Sequence, residues 1–129
     1  MRSLHVLIHQ ARPFHQILLH QAFNAQGVFN VRLSDDLEDT AARLGREQVV
    51  DVLVLDQSMP ERCARSLFQH LQPGAAPRAL LFVGQGSDQA RSLAGEARRR
   101  GFRVVGELAW PMSTVALQKA LARVWQGAV

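Results

Sequence analysis

Asp56 is the residue best placed for chemistry in this sequence. It directly follows the mostly apolar stretch "VDVLVL" (Val50–Leu55). Such a run predicts a strand covered on both faces, so Asp56 lies at the carboxyl end of that strand. "QSMP" follows and predicts a turn into a helix. A carboxylate in this position can cap a helix, take part in a structural ion pair or react as an acceptor.

Four other predicted strand ends carry residues that could share a site with Asp56. The carboxyl ends of parallel strands form one edge of a sheet, and ligands bind in the crevice at that edge. The residues expected there are His9 with Gln10, Ala11 and Arg12; Ser34 to Asp36; Gly84 to Gly86; and Glu107 to Pro111.

Strand and helix periodicities alternate five times along the chain. The predicted strands are Leu4–His9, Val28–Leu33, Val50–Leu55, Arg78–Val83 and Phe102–Leu108. Helical spacing follows each of them, as in Ala64, Leu67, Phe68 and Leu71, and the connections are short. This (βα)5 pattern predicts an α/β fold in which helices cover both faces of one parallel sheet.

Composition excludes several classes of protein. The chain has 129 residues, of which 47% are hydrophobic and 20% charged, as expected of one globular domain. No apolar run approaches the ~18 residues of a membrane span, and residues 1–20 lack the apolar core of a signal peptide. One cysteine, Cys63, excludes an internal disulfide and favours a cytoplasmic location.

The basic charge is scattered along the chain. The net charge of +4 comes from 14 arginines and one lysine, and the longest basic run is Arg98-Arg99-Arg100. That triplet is typical of a solvated helix end. We therefore do not expect a nucleic-acid partner. His5 and His9 could share a strand face, but their spacing matches no known metal site, so no metal is expected there.

The sequence resembles the receiver domains of bacterial response regulators over its full length. The residues that carry the resemblance are "LVLDQSMP", "PMS" after the fifth strand, and Pro13-Phe14. The stretch "GFRVVGELAWPMS" is most similar to receivers that precede EAL-type cyclic-di-GMP phosphodiesterase domains. The resemblance implies a flavodoxin-like fold with strand order 2-1-3-4-5 and one receiver-like domain over residues 1–129.

The family's site places Asp56 at the phosphoacceptor position, but most of its partners differ here. The acidic pair that binds Mg²⁺ falls on Gln10 and Ala11, and Arg12 follows. The Thr or Ser that contacts the phosphoryl group falls on Gly84. The Lys falls on Trp110, before Pro111. Loss of the metal ligands and the ammonium removes several kcal/mol of charge stabilisation. The resemblance therefore implies a degenerate receiver, or pseudo-receiver, with no cofactor.

The smaller side chains at these positions predict how the pocket is packed. We expect the Trp110 indole to lie across it near Gly84, because the lost side chains leave room there. Arg12 could approach Asp56 as a fixed counter-charge. The family's Lys-Pro bond is commonly cis, so we expect a cis bond between Trp110 and Pro111.

These features predict a non-enzymatic signalling module that docks to a protein partner or a fused effector domain. The resemblance implies a homodimer through the fourth helix, fifth strand and fifth helix. The residues of that face are Arg91, Arg98, Arg99, Glu107, Lys119 and Arg123. One alternative is a working receiver, phosphorylated on Asp56 by a histidine kinase with Mg²⁺. Another is a nucleotide or flavin binder that uses "GQGS" (Gly84–Ser87), and a basic DNA-contacting domain is a weaker one.

Overall fold

Five strands and five helices alternate in the computed structural model, which describes residues 4–44, 50–71, 77–84 and 92–126, with side chains to residue 124. The strands are β1 His5–His9, β2 Asn30–Ser34, β3 Val52–Asp56, β4 Ala79–Val83 and β5 Val104–Leu108. The helices are α1 Pro13–Ala25, α2 Leu37–Leu44, α3 Glu61–His70, α4 Leu93–Arg99 and α5 Thr114–Gln126.

The strands form one parallel sheet in the order β2-β1-β3-β4-β5, which confirms the predicted fold and strand order. β1 pairs with β2 on one side and with β3 on the other. The chain therefore changes its direction of winding between β1 and β3, and this switch point is where α/β sheets bind ligands. Residues that follow β1 and β3 meet there.

Two apolar layers enclose the sheet. One lies under α1 and α5 and includes Leu19, Phe23 and Leu117. The other lies under α3 and α4 and includes Leu67, Phe68 and Ala97. β3 and β4 are buried along all five of their residues, as their continuous apolar patterns predicted. Within the described ranges, no helix has the length and apolarity to span a membrane.

Local boundaries differ from the predictions in a few places. β2 begins at Asn30 and β5 at Val104, each two residues later than the apolar pattern indicated. Asp36 caps α2, since its Oδ1 accepts the N–H of Asp39 at 2.6 Å. Ser34, also expected at this edge, is turned inward and buried. The loop residues 85–87, Arg91 of the predicted dimer face and the side chain of Trp125 lie outside the described residues.

Candidate functional site at the switch point

Asp56 ends β3 with its carboxylate held by the turn that follows. Its side chain is 8% exposed, and Oδ1 accepts hydrogen bonds from the backbone N–H of Ser58 at 2.8 Å and from the Ser58 hydroxyl at 2.7 Å. In the described parts of the chain, Oδ2 accepts no hydrogen bond. Sequence analysis missed Ser58, although an Asp two residues before a Ser in a turn is the signal for such a contact.

Gln10, which follows β1, is fixed in place by hydrogen bonds to both its side-chain amide and its backbone. It is 1% exposed, its side-chain Oε1 accepts the Arg12 N–H at 3.2 Å, and its backbone oxygen accepts from the Gln16 amide at 2.6 Å. Ala11 is exposed and offers only a methyl group. The tip of β1 therefore presents an amide and a methyl group, and neither carries a negative charge.

The residues around Asp56 do not fit a magnesium ion. Mg²⁺ requires oxygen ligands in near-octahedral geometry. The Gln10 amide is uncharged, its oxygen accepts a backbone N–H, and its NH2 group is a donor that cannot bind a cation. Across residues 4–44, 50–71, 77–84 and 92–126, no three His, Cys, Asp or Glu side chains are grouped so that they could hold a metal.

Gly84 brings Asp56 and Trp110 together. Its φ of +89° is in the left-handed region, and its N–H donates to the Leu108 carbonyl at 2.8 Å. A Cβ at this position would lie 3.1 Å from Asp56 Oδ1 and 3.6 Å from Trp110 Nε1. The indole thus lies beside Gly84, as predicted, but it does not fill the pocket, since a cavity remains between Trp110 and Asp56.

The Trp110 ring stacks on His15 of α1, a contact that sequence analysis did not foresee. The two ring centroids are 4.4 Å apart and the rings are inclined by 22°. The Trp110–Pro111 bond is cis, as predicted. The half-buried indole therefore joins the loop after β5 to the first turn of α1.

Arg12 is exposed and shares a cavity of about 320 Å³ with Asp56, Ser58, Gly84 and Trp110. No ion pair joins Arg12 to Asp56 among the side chains that the structure describes. Their pairing as charge and counter-charge therefore stays a prediction.

His9 lies at the end of β1 in a chain of hydrogen bonds to α2. Its Nδ1 is 2.7 Å from the Thr40 hydroxyl, which donates to Ser34 Oγ at 2.8 Å, and Ser34 donates to the Asp36 carbonyl. Because the Thr40 hydrogen is used on Ser34, Nδ1 is the donor and Nε2 of the neutral ring is free to accept. Burial lowers the pKa of His9, against the opposing charges of Asp36, Asp56 and Asp35.

On the opposite side of the site, charged residues form pairs with other residues of the chain. Glu107 accepts from Gln57 and from Arg98, each at 3.0 Å, and so joins β5 to the turn after β3 and to α4. Burial alone would raise the pKa of Glu107, but the hydrogen bonds and the charge of Arg98 outweigh it and the pKa is lowered. Arg123 donates to the Val105 carbonyl at 2.9 Å. Three members of the predicted dimer face thus have partners inside the chain.

Sequence comparisons find no match for this chain: no protein-family model and no curated protein matches it. Solved structures match closely in shape. A response-regulator receiver protein from Burkholderia phymatum shares 16% identity, with 98% of each chain covered and a TM-score of 0.75. A protein assigned to pilus assembly, CpaE of Burkholderia thailandensis, shares 18% identity, with 96% of this chain and 99% of that chain covered and a TM-score of 0.75.

A third similar structure contains a bound metal ion. The receiver domain of a sensor histidine kinase from Pseudomonas aeruginosa, with magnesium coordinated in its active-site cleft, shares 18% identity over 98% of this chain and 100% of its own, with a TM-score of 0.72. At such identities a likeness establishes the fold and leaves activity open. The chain therefore has the fold of response-regulator receiver domains, with Asp56 at the end of its third strand.

Proposed function

We propose that this chain is a receiver-like module of two-component or phosphorelay signalling that acts by docking and is not phosphorylated by the magnesium-dependent route. The observation that carries the proposal is the uncharged surroundings of Asp56 at two positions. The resemblance to receivers assigns the metal-binding position to Gln10, which is a buried amide, and the ammonium position to Trp110, which stacks on His15.

Electrostatics explains why these replacements matter. A phosphoryl group on Asp56 would concentrate negative charge beside Asp35 and Asp36, which line the same cavity. A divalent ion and a fixed ammonium normally offset such charge. Every ~1.4 kcal/mol of lost stabilisation slows transfer about tenfold. Arg12 is the one cation that shares this cavity within the described residues, and it is exposed.

Phosphorylation can be tested directly. The chain is incubated with acetyl phosphate and Mg²⁺, and separately with beryllofluoride, and its mass and Mg²⁺ affinity are measured. We expect no mass gain and no saturable Mg²⁺ binding. A phosphoryl adduct that is absent from Asp56→Asn would contradict the proposal. The matched control is the triple variant Gln10→Asp, Ala11→Asp, Trp110→Lys. It should bind Mg²⁺ because it supplies two further carboxylates, and it should gain the mass of a phosphoryl group because the ammonium then offsets the phosphoryl charge.

One observation favours the alternative of a working receiver. Asp56 keeps one carboxylate oxygen without a hydrogen bond in the described parts of the chain, and this residue lines a cavity that could admit a small phosphodonor. In that case a histidine kinase would be the partner and Mg²⁺ the cofactor. The acetyl phosphate experiment distinguishes the two functions.

The docking partner that we propose first is a second copy of the chain, through α4, β5 and α5. Lys119 and Arg99 are exposed on these helices. The other charged residues of the face have partners inside the chain: Arg98 pairs with Glu107, and Arg123 donates to a backbone carbonyl of β5. Light scattering across a concentration series should show a dimer that Lys119→Glu weakens, and a monomer at all concentrations would contradict it. A fused effector domain, such as a cyclic-di-GMP phosphodiesterase, is the partner to seek next.

A further inference from the structure

β2 forms one outer edge of the sheet, and β1 is its only neighbour in the described sheet. The Ser34 carbonyl accepts the Gln10 N–H, so the backbone groups of Ser34 face β1. Successive residues of a strand turn their N–H and C=O groups to opposite edges, so those of Phe29, Val31 and Leu33 point away from β1. Among the described residues, no hydrogen bond reaches these outward groups.

The side chains of β2 leave this edge accessible to another strand. Phe29, directly before β2, is 72% exposed and Leu33 is 36% exposed. Both lie on the α1 side of the sheet with Val31, which is half-buried against the apolar layer there. On the other side of the strand, Asn30 and Arg32 are exposed as well. Neither neighbouring helix therefore covers the strand, and a second strand can approach its edge.

The other outer edge of the sheet, at β5, is protected against strand pairing. The register of β5 with β4 shifts between Leu80 and Leu81, and Arg123 of α5 donates to the Val105 carbonyl at 2.9 Å. Irregular pairing and charged side chains are two ways in which proteins prevent edge strands from pairing. β2 pairs regularly with β1 and contains no proline, and its single charge, Arg32, lies on the face opposite the apolar row.

The segment from Phe29 to Leu33 is complementary to itself. In an antiparallel pair with Val31 on the two-fold axis, Phe29 lies opposite Leu33 of the second copy. The outward groups of each opposed pair can then exchange both of their hydrogen bonds. On the other face Arg32 lies opposite the uncharged Asn30 of the second copy, so no like charges are directly opposed. The outward backbone groups and the apolar row are thus satisfied together by the same sequence.

We propose that two copies of this chain pair antiparallel through β2 and join their sheets into one. Registers shifted by two residues are less favourable, because they place Phe29 opposite Asp35 or Leu33 opposite Gly27. β2 and β5 lie at opposite edges of the sheet, so this interface is separate from the proposed α4-β5-α5 surface and does not depend on it. A chain that uses both interfaces would assemble beyond a dimer.

Amide hydrogen exchange, followed by NMR for each residue over a concentration series, tests the pairing. The amides of Phe29, Val31 and Leu33 should exchange at least about tenfold more slowly at high than at low concentration, because pairing protects them. The Arg32 N–H faces β1 and should be protected at every concentration. Lys119→Glu should leave the effect unchanged, which separates this interface from the one at α5. Exchange of the outward amides that does not depend on concentration would overturn the proposal.

Variants test the register, with association measured by sedimentation equilibrium. Phe29→Asp and Leu33→Lys should each weaken association at least about tenfold, because each places a charge opposite an apolar side chain. An equimolar mixture of the two variants should associate more tightly than either alone, since the new carboxylate of one lies opposite the new ammonium of the other.

The matched control is Phe14→Asp. Phe14 is 67% exposed, close to the value for Phe29, but it lies on α1, so this variant should associate like the parent chain. A mixture that associates no better than its components, or a loss in Phe14→Asp as large as that in Phe29→Asp, would show that β2 does not pair in this way.

Discussion

Two aspartates, Asp51 and Asp56, stand at opposite ends of the same buried strand segment and differ in what surrounds them. Asp51 is 0% exposed, accepts the His5 N–H at 2.9 Å and lies 3.8 Å from the guanidinium of Arg78. Asp56 is 8% exposed, and its hydrogen bonds come from the adjacent turn at Ser58. Asp51 therefore joins distant segments of the chain, whereas Asp56 lines two cavities.

The comparison shows that burial of a charge does not by itself mark a functional site. The backbone of Asp51 also bonds to His5 and Ala79, so this residue connects the amino ends of three strands. No described cavity is lined by it. Ligand chemistry in a parallel sheet belongs to the carboxyl edge, where strand ends diverge and leave a crevice. Asp51 therefore has a structural role, and Asp56 lies at the candidate site.

The largest expected effect comes from removing Asp51. Asp51→Ala leaves the His5 N–H and the Arg78 charge without their partner, so we expect the free energy of unfolding to fall by about 2 to 3 kcal/mol. Asp56→Ala removes contacts within one turn and should cost about 1 kcal/mol. Urea denaturation measures both. Equal losses for the two variants would remove the distinction between a structural and a site carboxylate.

Gly84 tests how tightly the candidate site is packed. Gly84→Ala should lower the free energy of unfolding by about 1 to 2 kcal/mol, because its positive φ disfavours a side chain and the new Cβ would approach Asp56 Oδ1. Gly27→Ala is the matched control, since that glycine also has a positive φ but a Cβ there meets nothing within 4 Å. A smaller loss at position 84 than at position 27 would contradict the close packing.

The stack of His15 on Trp110 should contribute a smaller amount. His15→Ala should cost about 1 kcal/mol, the value of an aromatic pair, and should shift Trp110 fluorescence towards longer wavelength as the indole gains water. His20→Ala, on the same helix, is the control, and Trp110→Phe identifies which part of the signal comes from this indole. An unchanged spectrum in His15→Ala would contradict the stack.

The smallest expected effect is the pH dependence of His9. Because burial lowers the pKa of His9 in the folded chain, the unfolded chain binds the proton more readily. Stability should therefore decrease as the pH falls below about 6.5 towards the folded-state pKa, and level off beneath it. Unfolding by urea along this pH series, compared with His9→Asn, isolates the effect. A variant with the same pH slope as the parent chain would show that His9 does not cause it.

The fold could be predicted well from the sequence because segments with strand periodicity and segments with helical periodicity alternate regularly along the chain. The apolar runs that became β3 and β4 and the helical spacing of α3 each identify one type of element. The element boundaries were less well predicted, as at β2, since an apolar residue such as Val28 can be buried in the loop before a strand. Ser58 was missed because its role depends on how the turn folds back on Asp56.

The sequence alone determined which groups could reach the carboxyl edge: an aspartate at the end of β3, an amide after β1 and an indole after β5. It could do so because strand ends follow from local periodicity and parallel pairing. Only the tertiary structure decided that His15 stacks on Trp110 and that the Gln10 amide keeps a buried donor with no acceptor among the described residues. Such contacts join residues from separate elements, and their geometry depends on how helices and strands pack in three dimensions.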